Sequence, residues 1–340
     1  MSNLRFAMFG TGFWSTFQLA GWLEAGGVEC VALYNRTLAK AKALAERFGV
    51  PAVYADPAEL LKNEKLDFLD ICTNVETHAM FTRMGAEHGL GVVCQKPMAA
   101  SLQKAEQMVA DCEKAGVPLL INDNWRWQYP IRQLKRLMDE GRIGKAFRAR
   151  IHYCNSFPVF DNQPFLKELS QFILTDIGSH ILDTARFLFG EACSLYCQTS
   201  RVHADIQGED VAIVIMQMGE RPMTVVAEMS CASKTEIERF PETYIYVEGD
   251  QGFLELGPDF VIRETTAQGT LIKRFPPPRY TWADPAYDVV QSSIVPCQAN
   301  FVQHLKGGQA ETTGEDNLKT VRLVFGAYQS AANNKVLLFK

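Results

Sequence analysis

Apolar positions follow two rhythms along this chain. Up to about Asn122, short apolar runs alternate with amphipathic stretches: Leu4 to Phe9, Val28 to Tyr34, Leu66 to Thr73, Gly91 to Cys94 and Val117 to Ile121 read as strands. Leu38 to Phe48, Thr77 to His88 and Leu102 to Ala115 read as helices between them. Strands buried on both faces are continuously apolar, so this rhythm predicts a doubly wound parallel sheet covered by helices. Beyond it, a helix near Ile131 to Glu140 precedes longer segments in which apolar and polar residues alternate. These are Lys145 to Asn155, Ala192 to Val202, Val211 to Met218, Met223 to Cys231, Thr243 to Glu248 and Gly252 to Leu256. A period of two predicts a large, mostly antiparallel open sheet. The expected fold class is α/β, with one unit over residues 1–122 and an α+β unit over 123–340.

The first strand stops in Gly10-Thr11-Gly12. Gly10 permits a tight turn, and a bare Gly12 lets the amides of Phe13 and Trp14, at the start of the next helix, approach a pyrophosphate. Ser15 holds the third fingerprint position, where glycine is usual. The first unit therefore reads as a Rossmann dinucleotide-binding domain, with Gly10, Thr11, Gly12, Phe13 and Trp14 on the nucleotide. About 20 residues past the glycines, where a carboxylate would bind the adenosine ribose of NAD, stands Asn35. Glu29 lies at the far end of that strand. With no carboxylate to repel a 2′-phosphate, and with Arg36, Thr37 and Lys40 beside Asn35, the pattern favours NADP over NAD.

Two further segments carry chemistry. Gln95-Lys96-Pro97 follows the strand Gly91 to Cys94, at the sheet edge where ligands of open parallel sheets bind, so Lys96 is expected to face the nicotinamide. Asp176-Ile177-Gly178-Ser179-His180-Ile181-Leu182-Asp183 opens an amphipathic helix, and spacings of four and seven put Asp176, His180 and Asp183 on one face. Asp176 read alone is an N-cap, Asp183 a salt-bridged carboxylate and His180 a satisfied core histidine. Beside Lys96 they read as an acid–base group. The same three residue types also fit a metal, but a helix facing a nicotinamide argues for none.

Composition narrows the class. The 340 residues exceed one typical core, and 47% hydrophobic content fills two. A net charge of -5 with interspersed signs offers no stripe for nucleic acid. No apolar stretch approaches the roughly 20 residues that span a bilayer, and the first strand begins too early to leave room for a signal peptide. None of the nine cysteines forms a CxxC pair, so they read as reduced thiols of a cytoplasmic protein.

Jointly, several motifs resemble the glucose-fructose oxidoreductase, inositol dehydrogenase and rhizopine-catabolism (Gfo/Idh/MocA) family. They are the glycine turn, Thr73-Asn74 with His78, Lys96-Pro97, Asn124-x-Arg126 with Pro130, Gly141-Arg142-Ile143-Gly144, the Asp176/His180/Asp183 helix and Thr313-Gly314-Glu315-Asp316. The resemblance implies an NAD(P)-dependent dehydrogenase of sugars or cyclitols in which Lys96, Asp176 and His180 are catalytic. Thr73, Asn74, His78 and Gln95 are then expected on the cofactor, and Trp125, Arg126, Tyr153, Asn155 and Asp183 on the substrate. It departs from the family at Gln95, usually glutamate, and at Gln171-Phe172-Ile173-Leu174, usually glycine-rich. Two rival readings are a glycoside hydrolase or lyase that uses its nucleotide transiently, and a nucleotide sensor. Apolar residues pointing both ways on Val211 to Met216 and Met223 to Ala227 predict a sheet face covered by a second copy, as a homodimer or homotetramer.

Overall fold

The first strand, β1 (Leu4–Phe9), sits at the centre of a fully parallel sheet. A computed structural model describes residues 3–220, 223–236 and 239–339. After β1 come α1 (Phe13–Ala25), β2 (Val28–Tyr34), α2 (Leu38–Phe48), β3 (Ala52–Tyr54), α3 (Pro57–Asn63) and β4 (Phe68–Ile71). Then follow α4 (His78–Glu87), β5 (Gly91–Gln95), α5 (Leu102–Ala115) and β6 (Leu119–Asn122). The strand order is β3-β2-β1-β4-β5-β6, so the winding reverses between β1 and β4, where a crevice opens at the strand carboxyl ends. Phe6, Phe68 and Trp22 fill the core below, with Phe6 and Phe68 stacked at 4.9 Å.

The pattern reading had no place for β3 and α3. β3 has three half-buried residues and no period to read. α3 announces itself through Asp56, whose carboxylate accepts the Ala58 N–H, and through Pro57 at its first position.

Among the described residues the second sheet has nine strands. Its elements begin with α6 (Tyr129–Asp139), β7 (Ala146–Cys154), α7 (Val159–Asn162), α8 (Ser179–Phe189), β8 (Ala192–Ser200), β9 (Val211–Met218) and β10 (Met223–Ser230). They continue with β11 (Tyr244–Gly249), β12 (Gly252–Gly257), β13 (Val261–Thr266), β14 (Gly269–Arg274), α9 (Asp288–Leu305), α10 (Gly314–Asn333) and β15 (Leu337–Leu338). The order is β14-β13-β12-β11-β7-β10-β9-β8-β15. β7 and β10 pair in parallel and the other neighbours antiparallel, so the sheet is mixed. Ala149, Ile151 and Tyr153 of β7 point into the core, while Arg148, Arg150 and His152 alternate with them on the other face. The proline-rich stretch after Phe275 is irregular.

The chain forms two compact units, residues up to Asp123 with Ile294–Val321, and Asn124–Ser293 with Arg322–Lys340. A single cut after Asn122 therefore leaves out a returning segment. Within the first unit Gln298 Nε2 donates to the Gln18 carbonyl at 3.0 Å, and a Cβ on Gly21 would fall 2.5 Å from the Gln298 side chain. The N–H of Ile121 donates to the Thr312 carbonyl at 2.8 Å. α9 mixes buried Val290, Ile294, Cys297 and Phe301 with buried Gln291, Ser292, Ser293 and Gln298, which leaves no clean apolar stripe in the sequence.

Candidate functional site

In the first unit the glycine turn has the geometry its residues predict. Gly10 has φ +98°, and a Cβ there would lie 2.3 Å from the Cys72 carbonyl oxygen, so only glycine fits between β1 and the end of β4. At Gly12 an added Cβ would meet nothing within 4 Å, which leaves open space above the start of α1. The Gly12 N–H donates to Ser15 Oγ at 3.1 Å, so Ser15 closes the turn that a third glycine would leave bare. No acidic side chain stands in the first turn of α1, so the positive end of the helix dipole suits a pyrophosphate there. Asn35 Nδ2 donates to Thr11 Oγ1 at 2.7 Å while Asn35 Oδ1 accepts the Thr37 N–H at 2.8 Å, tying the end of β2 to the glycine turn. Arg36, Thr37 and Lys40 are exposed beside it.

Gln95 ends β5 buried, and its Nε2 has no hydrogen-bond partner among the described residues. Lys96 follows half-buried. Thr73 Oγ1 accepts from Thr77 Oγ1 at 2.8 Å, and Asn74 is exposed. His78 is turned inward: Nδ1 lies 3.1 Å from the Pro97 carbonyl and 3.3 Å from that of Met98, and Nε2 lies 3.1 Å from that of Thr73. Burial pushes this imidazole down, toward its neutral form. His78 thus fastens the turn after Lys96 to the end of β4 and presents neither ring nitrogen to a ligand.

In the second unit an aromatic cluster surrounds His180. A 3₁₀ turn, Trp125–Trp127, places the Trp125 indole flat on the imidazole, with ring centroids 4.5 Å apart and planes 5° apart. Tyr153 of β7 lies 5.6 Å from Trp125, and Phe240 packs on both. Asn124 Nδ2 anchors the turn on the Val290 carbonyl and on Ser293 Oγ. Trp125 Nε1 is a buried donor with no hydrogen-bond partner among the described residues, and the buried Tyr153 hydroxyl and Asn155 side-chain amide meet each other. Burial pushes the Tyr153 phenol far up, so its proton stays on. A buried donor without a partner costs free energy that a hydroxylated ligand would recover.

Asp176 sits on a π-helical turn, Leu174–Gly178, that runs directly into α8. The wider turn shifts Asp176 relative to His180, so the strict helical period used to align Asp176, His180 and Asp183 does not hold across it. Asp183 is fully buried, its carboxylate held by Arg126, with Nε to Oδ2 at 2.7 Å and a second bond from Nη2. Arg186 approaches the same carboxylate at 3.9 Å and binds Glu191. Arg126 and Asp183, expected on the substrate, thus spend their charges on each other. Among the described residues no three His, Cys, Asp or Glu side chains are arranged to hold a metal ion. Pattern reading passed over Glu209 and Tyr328, which hold the segment ahead of Asp176, because neither lies near a motif.

Residues 4–123 match the model of the GFO/IDH/MocA oxidoreductase family with its NAD-binding Rossmann fold, and residues 131–255 match the GFO/IDH/MocA C-terminal domain. The chain is 39% identical to a D-apiose dehydrogenase of Paraburkholderia graminis, over 100% of this chain and 91% of that one. It is 37% identical to a D-apiose dehydrogenase of Rhizobium rhizogenes, over 99% and 98%. An oxidoreductase from Agrobacterium radiobacter, solved with NAD+, L-tartaric acid and magnesium, superposes with a TM-score of 0.97 at 36% identity, covering 99% and 98% of the two chains.

Proposed function

Because the chain belongs to the Gfo/Idh/MocA family of NAD(P)-dependent oxidoreductases, we propose that it oxidises a CH–OH group of a small sugar, with D-apiose the first candidate. The observation that carries the sugar reading is a group of buried polar atoms, the unpartnered Trp125 Nε1 with the Tyr153 hydroxyl and the Asn155 amide, gathered with the aromatic rings around His180. Buried donors beside apolar ring faces suit a ligand whose hydroxyl oxygens accept hydrogen bonds and whose carbon face stacks.

A bound nicotinamide supplies the hydride acceptor for such an oxidation. His180 takes the hydroxyl proton as the C=O bond forms, since an imidazole exchanges protons near neutral pH. Lys96 donates a hydrogen bond to the oxygen on which charge develops, and Asp176 orients the imidazole or holds a neighbouring hydroxyl. Gly10, Thr11, Gly12, Phe13, Trp14, Thr73, Asn74 and Gln95 hold the nucleotide. Arg126 and Asp183 shape the second-unit site rather than touch the sugar.

NADP is our choice over NAD. Asn35, fixed by Thr11 and Thr37, brings no carboxylate to the ribose, and Arg36 and Lys40 stand exposed to meet a 2′-phosphate. The NAD+ in the Agrobacterium oxidoreductase makes NAD the alternative.

The second sheet pairs with its copy. Its outer face exposes Ile213 and Ile215, flanked by the ion pairs Arg150–Glu228, Arg148–Glu248 and Arg263–Glu255. Light scattering at micromolar concentration that reports a single chain contradicts this pairing. The nine free cysteines fit a reducing cytoplasm. No helix among the described residues is long and apolar enough to cross a membrane.

A panel of sugars, cyclitols and sugar acids with NAD+ and NADP+ tests the reading. Net accumulation of reduced nicotinamide with an aldose supports it. Turnover without net reduction assigns a transient-redox reaction instead.

A further inference from the structure

We infer that Glu209, together with Tyr328, is the positioning device for the segment that carries Asp176 and His180. This rests on the catalytic reading of those two residues given above.

A helix begins with main-chain N–H groups that have no partner inside the helix. Here the stretch entering the π turn and α8 has four such groups in succession, at Phe172, Ile173, Leu174 and Thr175, and all four are received by two residues remote in sequence. Glu209 Oε2 accepts the Phe172 N–H at 3.2 Å, and Glu209 Oε1 accepts the Leu174 N–H at 3.1 Å. The Glu209 carbonyl accepts the Ile173 N–H at 3.1 Å. The Tyr328 hydroxyl accepts the Thr175 N–H at 3.2 Å and donates its own proton to Glu209 Oε1 at 2.7 Å. Burial, with Glu209 beside it, pushes the Tyr328 phenol far up, so it remains a donor.

The next amide in the chain, that of Asp176, bonds back to the Phe172 carbonyl at 2.9 Å. The grip therefore ends on the residue before Asp176. Its close fit shows at Gly208, where an added Cβ would fall 2.6 Å from the Leu169 carbonyl oxygen and 3.0 Å from Phe172. Asp210 fixes the other side of Glu209: it is fully buried and accepts the N–H groups of Val202 and His203 at 2.7 and 3.0 Å. A negative carboxylate at a helix N-terminus is also favourable toward the helix dipole. The lead-in Phe172-Ile173-Leu174 is buried and apolar and has no side chain able to cap itself, so the cap comes from outside.

The test compares Glu209→Ala, Glu209→Gln and Tyr328→Phe with His180→Ala, using steady-state kinetics with the active sugar and nucleotide, nucleotide titration and thermal melting. Glu209→Ala is expected to lower kcat about tenfold or more with nucleotide Kd unchanged, since the nucleotide-binding turn lies on the other unit. Glu209→Gln, which keeps one acceptor oxygen, is expected to recover most of that loss, and Tyr328→Phe to fall between. Wild-type kcat in Glu209→Ala overturns the inference. So does a parallel fall in kcat and nucleotide affinity without rescue by glutamine, which is the mark of general unfolding. Where Glu209→Ala does not fold, Tyr328→Phe decides: wild-type kcat there overturns it. His180→Ala separates the two levels: wild-type kcat there removes the catalytic reading itself, whereas a large loss there beside an unaffected Glu209→Ala removes the positioning role alone.

Discussion

The Trp125 indole lies face to face with the His180 imidazole, 4.5 Å between centroids and 5° between planes. Both rings are buried, at 0% and 4% exposure, so neither has room to turn independently. An aromatic contact of this kind contributes about 0.5–1.5 kcal/mol beyond area burial and fixes a ring plane. Trp125→Leu is therefore expected to reduce kcat about tenfold with unchanged nucleotide affinity, and Trp125→Phe to stay within about threefold of wild type. Equal kcat in Trp125→Leu would show that the stack does not orient the base.

Asp183 separates a structural carboxylate from a sugar ligand. Replacing it with Asn leaves Arg126 buried with half of its partner, a change that costs about 3–5 kcal/mol when such a pair is broken. The expected outcome is a lower Tm with kcat and KM reported by the folded fraction near wild type. A raised KM at unchanged Tm would return Asp183 to the substrate.

The parallel sheet was readable because its strands are buried on both faces and leave continuous apolar runs, as in Phe68-Leu69-Asp70-Ile71. The same run hides Asp70, a carboxylate inside the sheet that pattern alone counts as one polar interruption. The glycine turn and the helix that carries His180 were legible as local spacings, while the π turn that displaces Asp176 was not. The partnership of Arg126 with Asp183 and the cap formed by Glu209 and Tyr328 were not. These join residues 57 and 119 positions apart, and no local period records such a meeting. The inward turn of His78 escaped for a related reason: its partners are carbonyls, which every residue has.

Asp70 gives the first unit a pH dependence. Burial pushes its carboxyl up from 3.8 to about 7, against hydrogen bonds from Trp22 Nε1 at 2.7 Å and Gln18 Nε2 at 3.4 Å that favour the charged form. The folded state therefore holds this proton more tightly than the unfolded chain. Its contribution is full below pH 3.8 and is lost as the pH rises to about 7. The loss amounts to about 4 kcal/mol at one pKa unit per 1.36 kcal/mol. Asp70→Asn keeps an acceptor for Trp22 and removes the charge, so it should raise stability above neutral pH and leave it unchanged near pH 4. Urea unfolding at both pH values checks this, and an equal effect at both would contradict it.

The proposed NADP preference rests on the end of β2. Asn35→Asp should move preference toward NAD by repelling the 2′-phosphate, and Arg36→Ala should weaken NADP more than NAD. Fluorescence titration with both nucleotides decides the matter. A wild-type preference for NAD of about tenfold or more would refute the 2′-phosphate site.

In the proposed reaction His180 is the base and Lys96 stabilises the charge on oxygen as a sugar is oxidised. The direct measurement is the rate of nicotinamide reduction with D-apiose in wild type, His180→Ala and Lys96→Ala, each first shown by titration to bind nucleotide. Reduction by the wild type is expected, with a fall in kcat of about 100-fold or more in each variant at nearly unchanged nucleotide affinity. Wild-type kcat in either variant, or no reduction by the wild type with D-apiose or any other sugar tried, would contradict it.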